Sequence, residues 1–490
     1  MDFHNEEFRR MYERTLILIL LKVMDKRYPG RTVRVVCSMS HGVLIHSPDQ
    51  SYTEKELAAI EADMRDLTAR DLPFESMVLS KEEAISYFEK RARAEKADLL
   101  RFHGKSTITL YGVDGYFDDL FGPVLPSTGC AAVFAVYPMR GSFILQRPDR
   151  NHPEKPYPFI ALPKHMSTFI QSEAWSAMLN ATNAADMEKI AKNGDLRMLV
   201  RVMEALHDSA IHDIAREIGE NERRIVLVAG PSSSGKTTFA ARLCVHLQVL
   251  GIPSLRISMD DYYIDRSLRT PDENGKLDFE TIEALDIPLL QQQLTDLMEG
   301  KCVAVPRYDF KTGSREKEGV STQISPEHVV VVEGIHALNP ILSDRLPRSL
   351  LYRVYVSALT CQNLDDHNRI HTTDIRLLRR IVRDYQFRGT MPVETMNMWE
   401  DVRTGEERWI FPYQENADSV FNTMLTYEIP LLRSIAYPLL LEESCKDHVL
   451  TERLLTLLNC YSDFDQNKLN EIPPLSLIRE FIGGCTAEKR

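Results

Sequence analysis

Short apolar runs recur between residues 220 and 442 and predict the strands of a sheet. The run 225–229 is entirely apolar, and the runs 254–259 and 329–334 repeat the pattern further along the chain. Stretches with helical spacing lie between the runs, and buried strands that alternate with helices are typical of a parallel α/β sheet. We therefore predict an α/β domain with a mainly parallel sheet over 220–442, followed by a helical tail over 443–490.

The first half of the chain mixes helical and alternating patterns, and it predicts an α+β domain over 1–195. Thr53 and Glu56 have the spacing of a capping box, which marks the start of a helix. The patterns predict helices over 6–26, from 53 onward and over 81–100, and strands over 33–37, 106–111, 131–137 and 142–146. Helical spacing then predicts a connector over 196–219.

Composition and charge narrow the classes of function. The 490 residues include 59 lysines and arginines against 71 aspartates and glutamates, a net charge of −12. This charge argues against broad binding to nucleic acid or membranes, but it leaves a local basic groove open. The eight cysteines form no Cys-x-x-Cys pair, and the apolar run 16–21 is too short to span a bilayer. We expect a cytoplasmic protein of two or three domains with reduced thiols.

Residues 230–237 read Gly-Pro-Ser-Ser-Ser-Gly-Lys-Thr, between a predicted strand and a predicted helix. Gly230 and Gly235 let the backbone curl so that successive N–H groups face an anion. Lys236 adds a charge for the outer phosphates, and the Thr237 hydroxyl suits Mg²⁺. The alternative is a serine-rich turn that enters a helix. We predict ATP and Mg²⁺ as cofactors, bound by Gly230, Pro231, Ser232, Ser233, Ser234, Gly235, Lys236, Thr237 and Thr238.

Carboxylates stand at the ends of the other two predicted strands. Asp260 follows the run 254–259, and Glu333 lies at the end of the apolar residues 329–332. Functional crevices of doubly wound sheets lie at the carboxyl ends of the strands. There, Asp260 could accept the proton of a hydroxyl that attacks the γ-phosphate, and Glu333 could hold Mg²⁺ directly or through water. On spacing alone, Asp260 and Asp261 could instead cap a turn.

Aromatic residues and arginines form two further groups. Phe279, Tyr308 and Phe310 could stack on a flat ring, although each alone is better explained as a core residue. Arg376, Arg379, Arg380 and Arg383 fall on one face of a predicted helix, with Leu377, Leu378, Ile381, Val382 and Tyr385 on the other side. In a nucleotide kinase such a stripe is the expected form of a lid over the triphosphate, and elsewhere it is usually a solvated face.

The order of these motifs resembles the uridine kinase and phosphoribulokinase family of phosphate-loop kinases. The matching strings are 230–237, Ser-Met-Asp-Asp-Tyr-Tyr at 258–263, Pro-Arg-Tyr-Asp-Phe at 306–310, Val-Glu-Gly-Ile at 332–335 and Leu-Arg-Arg-Ile-Val-Arg-Asp at 378–384. The resemblance implies a general base at Asp260, lid arginines at Arg380 and Arg383, and Mg²⁺ at Glu333. It also implies a nucleoside site lined by Tyr263, Phe279, Tyr308 and Phe310.

Two positions depart from the pattern of that family. Uridine kinases usually carry a histidine three residues after the equivalent of Phe310, where it helps to read the pyrimidine, and this chain has Gly313. The acid that follows the equivalent of Phe279 is usually aspartate, and this chain has Glu280. Phosphoryl transfer is still expected, but uridine as the acceptor becomes doubtful.

Residues 82–147 resemble the second N-terminal domain of threonyl- and alanyl-tRNA synthetases, the module that edits mischarged tRNA. The resemblance rests on the string Tyr-Phe-Asp-Asp-Leu-Phe-Gly-Pro-Val-Leu-Pro-Ser-Thr-Gly at 116–129. A fusion of such a domain with a nucleoside kinase resembles an arrangement found in bacteria and plants.

Editing in the synthetase family requires histidine and cysteine ligands, which this chain lacks at the matching positions. Leu120 and Val124 stand where the resemblance places cysteine and histidine. His41 and His46 are five residues apart and do not form the His-x-x-x-His pair. Since no metal-activated water is then expected, we predict no editing. Binding of a tRNA-like RNA, a nucleoside or a partner subunit stays open, as does a homo-oligomer.

Two classes of function fit these observations. The leading hypothesis is an enzyme that phosphorylates a hydroxyl of a small molecule, in the first place the 5′-hydroxyl of a uridine- or cytidine-like nucleoside. A sugar or sugar phosphate is the alternative acceptor. The competing class is an RNA-binding or regulatory protein with a nucleotide switch. A switch does not need Asp260 at a strand end, an aromatic set or an arginine lid, so these three features favour the enzyme.

Overall fold

The computed structural model describes residues 2–102, 104–269, 278 and 280–486. The first part of the chain is an α+β arrangement with two antiparallel sheets, ordered β1-β2-β7-β6 and β3-β4-β5. Its elements are α1 (Glu6–Arg27), β1 (Arg34–Met39), β2 (Gly42–His46), α2 (Glu54–Ala69), β3 (Glu75–Ser80), α3 (Lys81–Glu89), α4 (Ala94–Phe102), β4 (Thr107–Val113), β5 (Tyr116–Asp118), β6 (Ala135–Met139) and β7 (Ser142–Gln146).

Helix α1 forms the centre of this first core. Its residues 16–21 are almost completely buried in this core, and this burial accounts for their apolar character. Asn5 accepts a hydrogen bond from the Phe8 N–H and begins the helix, and α2 begins with the predicted capping box of Thr53 and Glu56. No helix among the described residues is long and apolar enough to cross a membrane.

Two predictions for the first half were wrong in detail. The helix predicted over 81–100 is two helices, α3 and α4, because Ala92 takes a left-handed conformation (φ +56°) and the Arg93 N–H turns back to Phe88 O. The strand predicted from 131 begins only at Ala135, since residues 128–131 form a turn of 3₁₀ helix. Both are short-range turns that the hydrophobic pattern does not encode.

Three helices lead from the first sheets to the kinase-like half: α5 (Pro163–Met178), α6 (Ala184–Asn193) and α7 (Leu196–Glu220). The elements that follow are β8 (Ile225–Ala229), α8 (Lys236–Val249), β9 (Ser254–Ser258), α9 (Ile287–Met298), β10 (Val303–Val305), β11 (Tyr308–Asp309), β12 (Ser314–Arg315), β13 (Val320–Thr322), β14 (Val329–Glu333), α10 (Pro340–Ser343), β15 (Leu351–Ser357), α11 (Thr372–Arg388), α12 (Pro392–Asn397), α13 (Trp399–Trp409), β16 (Ser419–Asn422), α14 (Glu428–Leu440), α15 (Val449–Leu458) and α16 (Arg479–Ile482).

A parallel sheet of order β16-β15-β8-β14-β9 forms the centre of this half and confirms the predicted α/β class. The strand β14 lies between β8 and β9, and Glu333 is in register with both Val228 and Ser258. The β8 strand is completely buried, as expected for a parallel sheet covered on both faces. The carboxyl ends of β8, β9 and β14 therefore meet at one edge.

Buried ion pairs join the first half to the segment that leads into α11. Arg10 of α1 contacts Asp374 at 2.8 Å, and Glu13 contacts Arg369 at 2.7 Å. Lys96 lies 3.0 Å from Asp118 on the same side of this junction. Removing one member of such a pair leaves a buried charge uncompensated, at a cost of about 3–5 kcal/mol. The two halves are therefore held in a fixed relation at the start of α11.

Candidate active site

The loop between β8 and α8 takes the conformation of a phosphate cradle. Gly235 has φ +89° and Ser233 has φ +59°, so the chain curls through the left-handed region twice. A Cβ atom at Gly230 would lie 2.0 Å from the Val356 carbonyl oxygen, so only glycine fits there. These two glycines are required by geometry, in agreement with their predicted role.

Backbone N–H groups of this loop are available to an anion. Within the described residues, no hydrogen bond is made by the N–H groups of Ser233, Gly235, Lys236 or Thr237. The Ser232 N–H, in contrast, donates to the Glu406 carboxylate at 3.1 Å. Successive free N–H groups at a helix N-terminus are suited to phosphate oxygens, so the loop fits a triphosphate.

Lys236 lies under this loop, with its Nζ 3.1 Å from the Pro231 carbonyl oxygen. Burial lowers the pKa of Lys236, and Glu333, Glu480 and Asp260 oppose that effect. No carboxylate within the described part of the chain lies within 4.0 Å of its ammonium group. The positive charge is therefore available to a bound phosphate.

Glu333, Thr237 and Ser258 form a cluster of oxygen atoms at the end of β14. The Ser258 hydroxyl donates to Glu333 Oε1 at 3.0 Å, and the Thr237 hydroxyl lies 3.4 Å from the same oxygen. Burial raises the pKa of Glu333 to about 7, with the neighbouring Asp260 acting in the same direction. A bound cation would favour the ionised form, and hydroxyl and carboxylate oxygens are ligands that Mg²⁺ prefers. The pair Thr237 and Glu333 therefore fits the predicted metal site.

Asp260 begins the turn after β9 and faces the same edge of the sheet. Its N–H donates to Ser258 Oγ at 3.4 Å, and its carboxylate is open to the cleft. Burial within the cleft raises the pKa of Asp260, whereas the nearby charges of Lys236, Arg388 and Arg383 lower it. Asp261, its neighbour, accepts a hydrogen bond from the Tyr308 N–H at 3.4 Å and so supports the next strand. The two adjacent carboxylates thus have different surroundings.

The predicted aromatic residues cluster beside Asp260. The ring of Tyr308 lies 5.6 Å from that of Tyr263 and 5.0 Å from that of Phe310. Phe310 is 51% exposed, whereas Tyr263 is buried. Burial raises the pKa of Tyr263, and the nearby Asp260 carboxylate acts in the same direction. Phe279, the fourth predicted member, lies outside the described residues.

Helix α11 carries the predicted arginines, but they do not form one exposed stripe. Arg376 and Arg379 are completely buried: Arg376 pairs with Glu406 at 2.6 Å, and Arg379 pairs with Glu428. Arg380 donates to the Ser232 hydroxyl at 2.9 Å, and Arg383 donates to Asp384 at 2.8 Å. The structure thus brings Arg380 to the phosphate loop and uses Arg376 and Arg379 to hold the helix.

The residues on the other side of α11 differ in burial. Leu377, Leu378, Ile381 and Val382 are buried, whereas Tyr385 is 41% exposed. Tyr385 lies in the last turn of α11, which extends past the core.

Sequence reasoning missed two residues of the site. Glu406 of α13 binds Ser232 and Arg376 together, and no motif or spacing marks it. His336 follows Glu333 by three residues and is 1% exposed. Burial lowers the pKa of His336 to about 4, so the ring is neutral. Its place three residues after a strand-end carboxylate was the available signal.

The structure shows the surroundings of the two departures from the uridine kinase pattern. Gly313 has φ +71°, and a Cβ atom there would lie 2.4 Å from the Arg266 side chain, so a histidine would be strained and would displace Arg266. Burial raises the pKa of Glu280 to about 7, with Glu406 acting in the same direction. An ideal Cβ at Gly405 would lie 2.4 Å from Glu280 Cβ, so Gly405 leaves room for this side chain.

The synthetase-like string contributes to the core of the first half. Leu120 is buried there, and Val124 packs against the same core. His41 stacks on Tyr157 with ring centroids 4.4 Å apart, and His46 lies 3.0 Å from the Ser142 hydroxyl. Across the described residues no three His, Cys, Asp or Glu side chains are grouped so as to hold a metal ion.

Comparison with known proteins identifies the family. Residues 225–430 match the phosphoribulokinase / uridine kinase family. A uridine kinase of Staphylococcus epidermidis is 33% identical over 202 residues, which cover 41% of this chain and 87% of that protein. A uridine kinase of Brevibacillus brevis is 33% identical over 198 residues, which cover 40% of this chain and 83% of that protein. A uridine kinase of Staphylococcus aureus is 31% identical over 198 residues, which cover 40% of this chain and 86% of that protein.

The chain belongs to the phosphoribulokinase/uridine kinase family, and its second half is a phosphate-loop kinase fold with a parallel sheet. The match supports a kinase of a small molecule, and the family implies the use of ATP and, usually, Mg²⁺. It does not extend to the first half, which is an α+β arrangement.

Proposed function

We propose that this protein transfers the γ-phosphoryl group of ATP to a hydroxyl of a small molecule, and that the acceptor is the 5′-hydroxyl of a uridine- or cytidine-like nucleoside. The observation that carries the proposal is the meeting of three groups at one sheet edge. Asp260 interacts electrostatically with Lys236 of the phosphate loop and with Tyr263, whose ring lies 5.6 Å from that of Tyr308. This proximity supports a base that serves both a triphosphate site and a site for a flat ring.

Each side chain has a role in the transfer that follows from its position. Asp260 accepts the proton of the acceptor hydroxyl as the new O–P bond forms and the bond to ADP breaks. Lys236 and the loop N–H groups offset the phosphate charge. Thr237 and Glu333 hold Mg²⁺, which supplies further charge for the phosphate oxygens. The predicted residues from Gly230 to Thr238 contact the nucleotide. Among them, Ser232 accepts a hydrogen bond from Arg380.

The aromatic residues and the helix α11 complete the proposed site. Tyr263, Phe279, Tyr308 and Phe310 line the acceptor site, with the exposed ring of Phe310 as the stacking surface. Arg380 and Arg383 act on the transferring group. A sugar or sugar phosphate is the second candidate acceptor, because Gly313 and Arg266 occupy the place of the pyrimidine-reading histidine.

We also propose the organisation of the chain as a domain over 1–195, a helical connector over 196–219, a kinase domain over 220–442 and a helical tail over 443–490. The first domain is a relative of the synthetase editing module that serves as a structural or specificity unit. Its synthetase ancestry and a cytoplasmic location stay predictions.

An acceptor screen tests the proposed function. The full-length protein, ATP and Mg²⁺ are incubated with nucleosides, sugars and sugar phosphates, and ADP formation is followed. We expect ADP formation above background with a pyrimidine nucleoside, because the rings beside Asp260 stack on a base. Turnover with sugars or sugar phosphates, but not with nucleosides, would contradict a nucleoside acceptor and favour the second candidate class of acceptor. A protein that bound ATP but turned over no acceptor would contradict it in favour of a nucleotide switch.

Substitutions in α11 test the lid assignment. We expect Arg380→Ala to lower kcat by about 10²-fold, since the Arg380 guanidinium contacts the phosphate loop. Arg383→Ala should lower kcat less. In both variants the KM for the acceptor should change little. Arg216→Ala, which removes an exposed arginine of α7, is the matched control. Steady-state kinetics with both substrates varied measures these effects. Unchanged kinetics in Arg380→Ala would show that this arginine only packs the loop.

A further inference from the structure

A second cavity lies at the junction of the two halves, away from the phosphate loop. It has a volume of about 310 Å³ and is formed by α1, the loop 120–123, the segment 364–374 and α15. Small-molecule sites have volumes of about 300–1,000 Å³ and mostly apolar walls with a few polar groups. The walls here include Met11, Ile17, Leu120, Ile370 and Leu457. The cavity thus has the size and character of a small-ligand site.

Most of the charges around this cavity neutralise one another. Arg10 and Arg453 both contact Asp374, at 2.8 and 3.0 Å, and Arg369 contacts Glu13 at 2.7 Å. Glu7 also pairs with Arg453. Glu452 is exposed on α15 and also lines the cavity.

Arg14 is the exception among these arginines. Its Nε donates to the Pro123 carbonyl oxygen at 3.0 Å, and no carboxylate of the described residues lies within 4.0 Å of its guanidinium. An ideal Cβ at Gly122 would lie 2.7 Å from the Arg14 guanidinium carbon, so this glycine leaves room for it. Burial and the neighbouring Arg10 lower the pKa of Arg14 to about 10, which keeps it charged at neutral pH. A charged, half-buried guanidinium therefore lines the cavity without a counter-ion.

The N-terminus of α11 also borders this cavity. His371 precedes the helix, and no side chain caps it there. Burial lowers the pKa of His371 far below its usual range, and Arg10, Arg369, Arg453 and Arg14 all act in the same direction. Asp374, in the first turn of α11, offsets the partial positive charge of the helix N-terminus and pairs with Arg10 and Arg453. Among the residues that the structure describes, the cation that remains without a counter-ion at this end of the cavity is therefore Arg14.

We propose that this cavity is a binding site for a small organic anion, whose phosphate or carboxylate oxygens contact the guanidinium of Arg14 and whose apolar part packs against Ile17, Leu120 and Leu457. Arginine suits this role because its planar fork matches phosphate and carboxylate oxygens. The bound anion contacts both halves of the chain and the start of α11, the helix that carries Arg380 to the phosphate loop.

Calorimetric titration of the full-length protein tests this site. The probes are phenyl phosphate and benzoate, which combine a ring with a phosphate or a carboxylate, and inorganic phosphate, which is the anion alone. We expect saturable binding of at least one ring-bearing probe, tighter than that of inorganic phosphate. Arg14→Gln should weaken it by about tenfold or more, since a hydrogen bond to a charged group is lost. Arg70→Gln, an exposed arginine just after α2, is the matched control and should bind as the native protein does.

Two further variants separate this site from the phosphate loop. Thr456→Trp fills the cavity from α15 without removing a cation, and it should also weaken the binding. Lys236→Ala removes the lysine of the phosphate loop and should leave the binding unchanged. Binding that is lost in Lys236→Ala and kept in Arg14→Gln would place the probe in the phosphate loop and overturn the proposal. Absence of binding by all three probes at millimolar concentration would overturn it as well.

Discussion

Replacement of Asp260 by asparagine is expected to lower the rate of phosphoryl transfer by about 10²–10⁴-fold, with the nucleotide still bound. Asparagine keeps the size of the side chain but cannot accept the proton of the acceptor hydroxyl. The Asp260 carboxylate is not part of the loop that receives the triphosphate, so affinity for a non-hydrolysable ATP analogue should change by less than the rate does. Single-turnover kinetics and titration of the analogue measure the two effects separately.

Asp261→Asn is the matched control for this prediction. Asp261 is next in the chain, yet its carboxylate accepts a hydrogen bond from the Tyr308 N–H and supports the strand that carries this tyrosine. We expect Asp261→Asn to keep most of the turnover. Near-normal transfer in Asp260→Asn, or equal losses in both variants, would show that Asp260 is not the base.

The pH dependence of the rate provides a second readout for Asp260. A base acts in its ionised form, so the rate is retained above the pKa and falls as the pH decreases through it. Burial within the cleft raises the pKa of Asp260. The acid limb of kcat/KM should therefore lie above the usual range for aspartate, and the contribution of Asp260 should vanish in Asp260→Asn.

Sequence patterns predicted the elements of the kinase half because short-range chemistry decides them. The strand β8 ends at Ala229, as predicted, since the apolar run stops at the first glycine of the loop. The helix predicted from Thr53 begins there, because a capping box needs only residues three apart. The break at Ala92 was not predicted, because the residues before and after it have the same helical composition.

The partners of the buried arginines could not be predicted from the sequence. Arg376 binds Glu406, 30 residues away, and Arg379 binds Glu428, 49 residues away. Spacing on α11 places Arg376, Arg379, Arg380 and Arg383 on one face. The packing of α13 and α14 decides which of these four become buried. The same holds for the cavity at Arg14, whose walls come from four separate parts of the chain.

Lys236→Ala is expected to lower turnover by about 10²-fold or more and to weaken triphosphate binding, without a loss of folding stability. The ammonium group is buried, which lowers its pKa, and its hydrogen bond to Pro231 O is not accompanied by an ion pair within the described residues. Removing one member of a buried ion pair leaves the other charge uncompensated and destabilises the fold. Lys236 has no such partner in the part of the chain that the structure describes, so its removal should not have this cost.

Thermal unfolding without nucleotide should therefore give Lys236→Ala a melting temperature at least equal to that of the native protein. Added ATP and Mg²⁺ should raise the melting temperature of the native protein more than that of Lys236→Ala. Lys301→Ala, an exposed lysine after α9, is the control and should match the native protein in all three measurements. A clear loss of stability in Lys236→Ala without nucleotide would show that this lysine holds the loop together, and its proposed role in binding the phosphates would then be wrong.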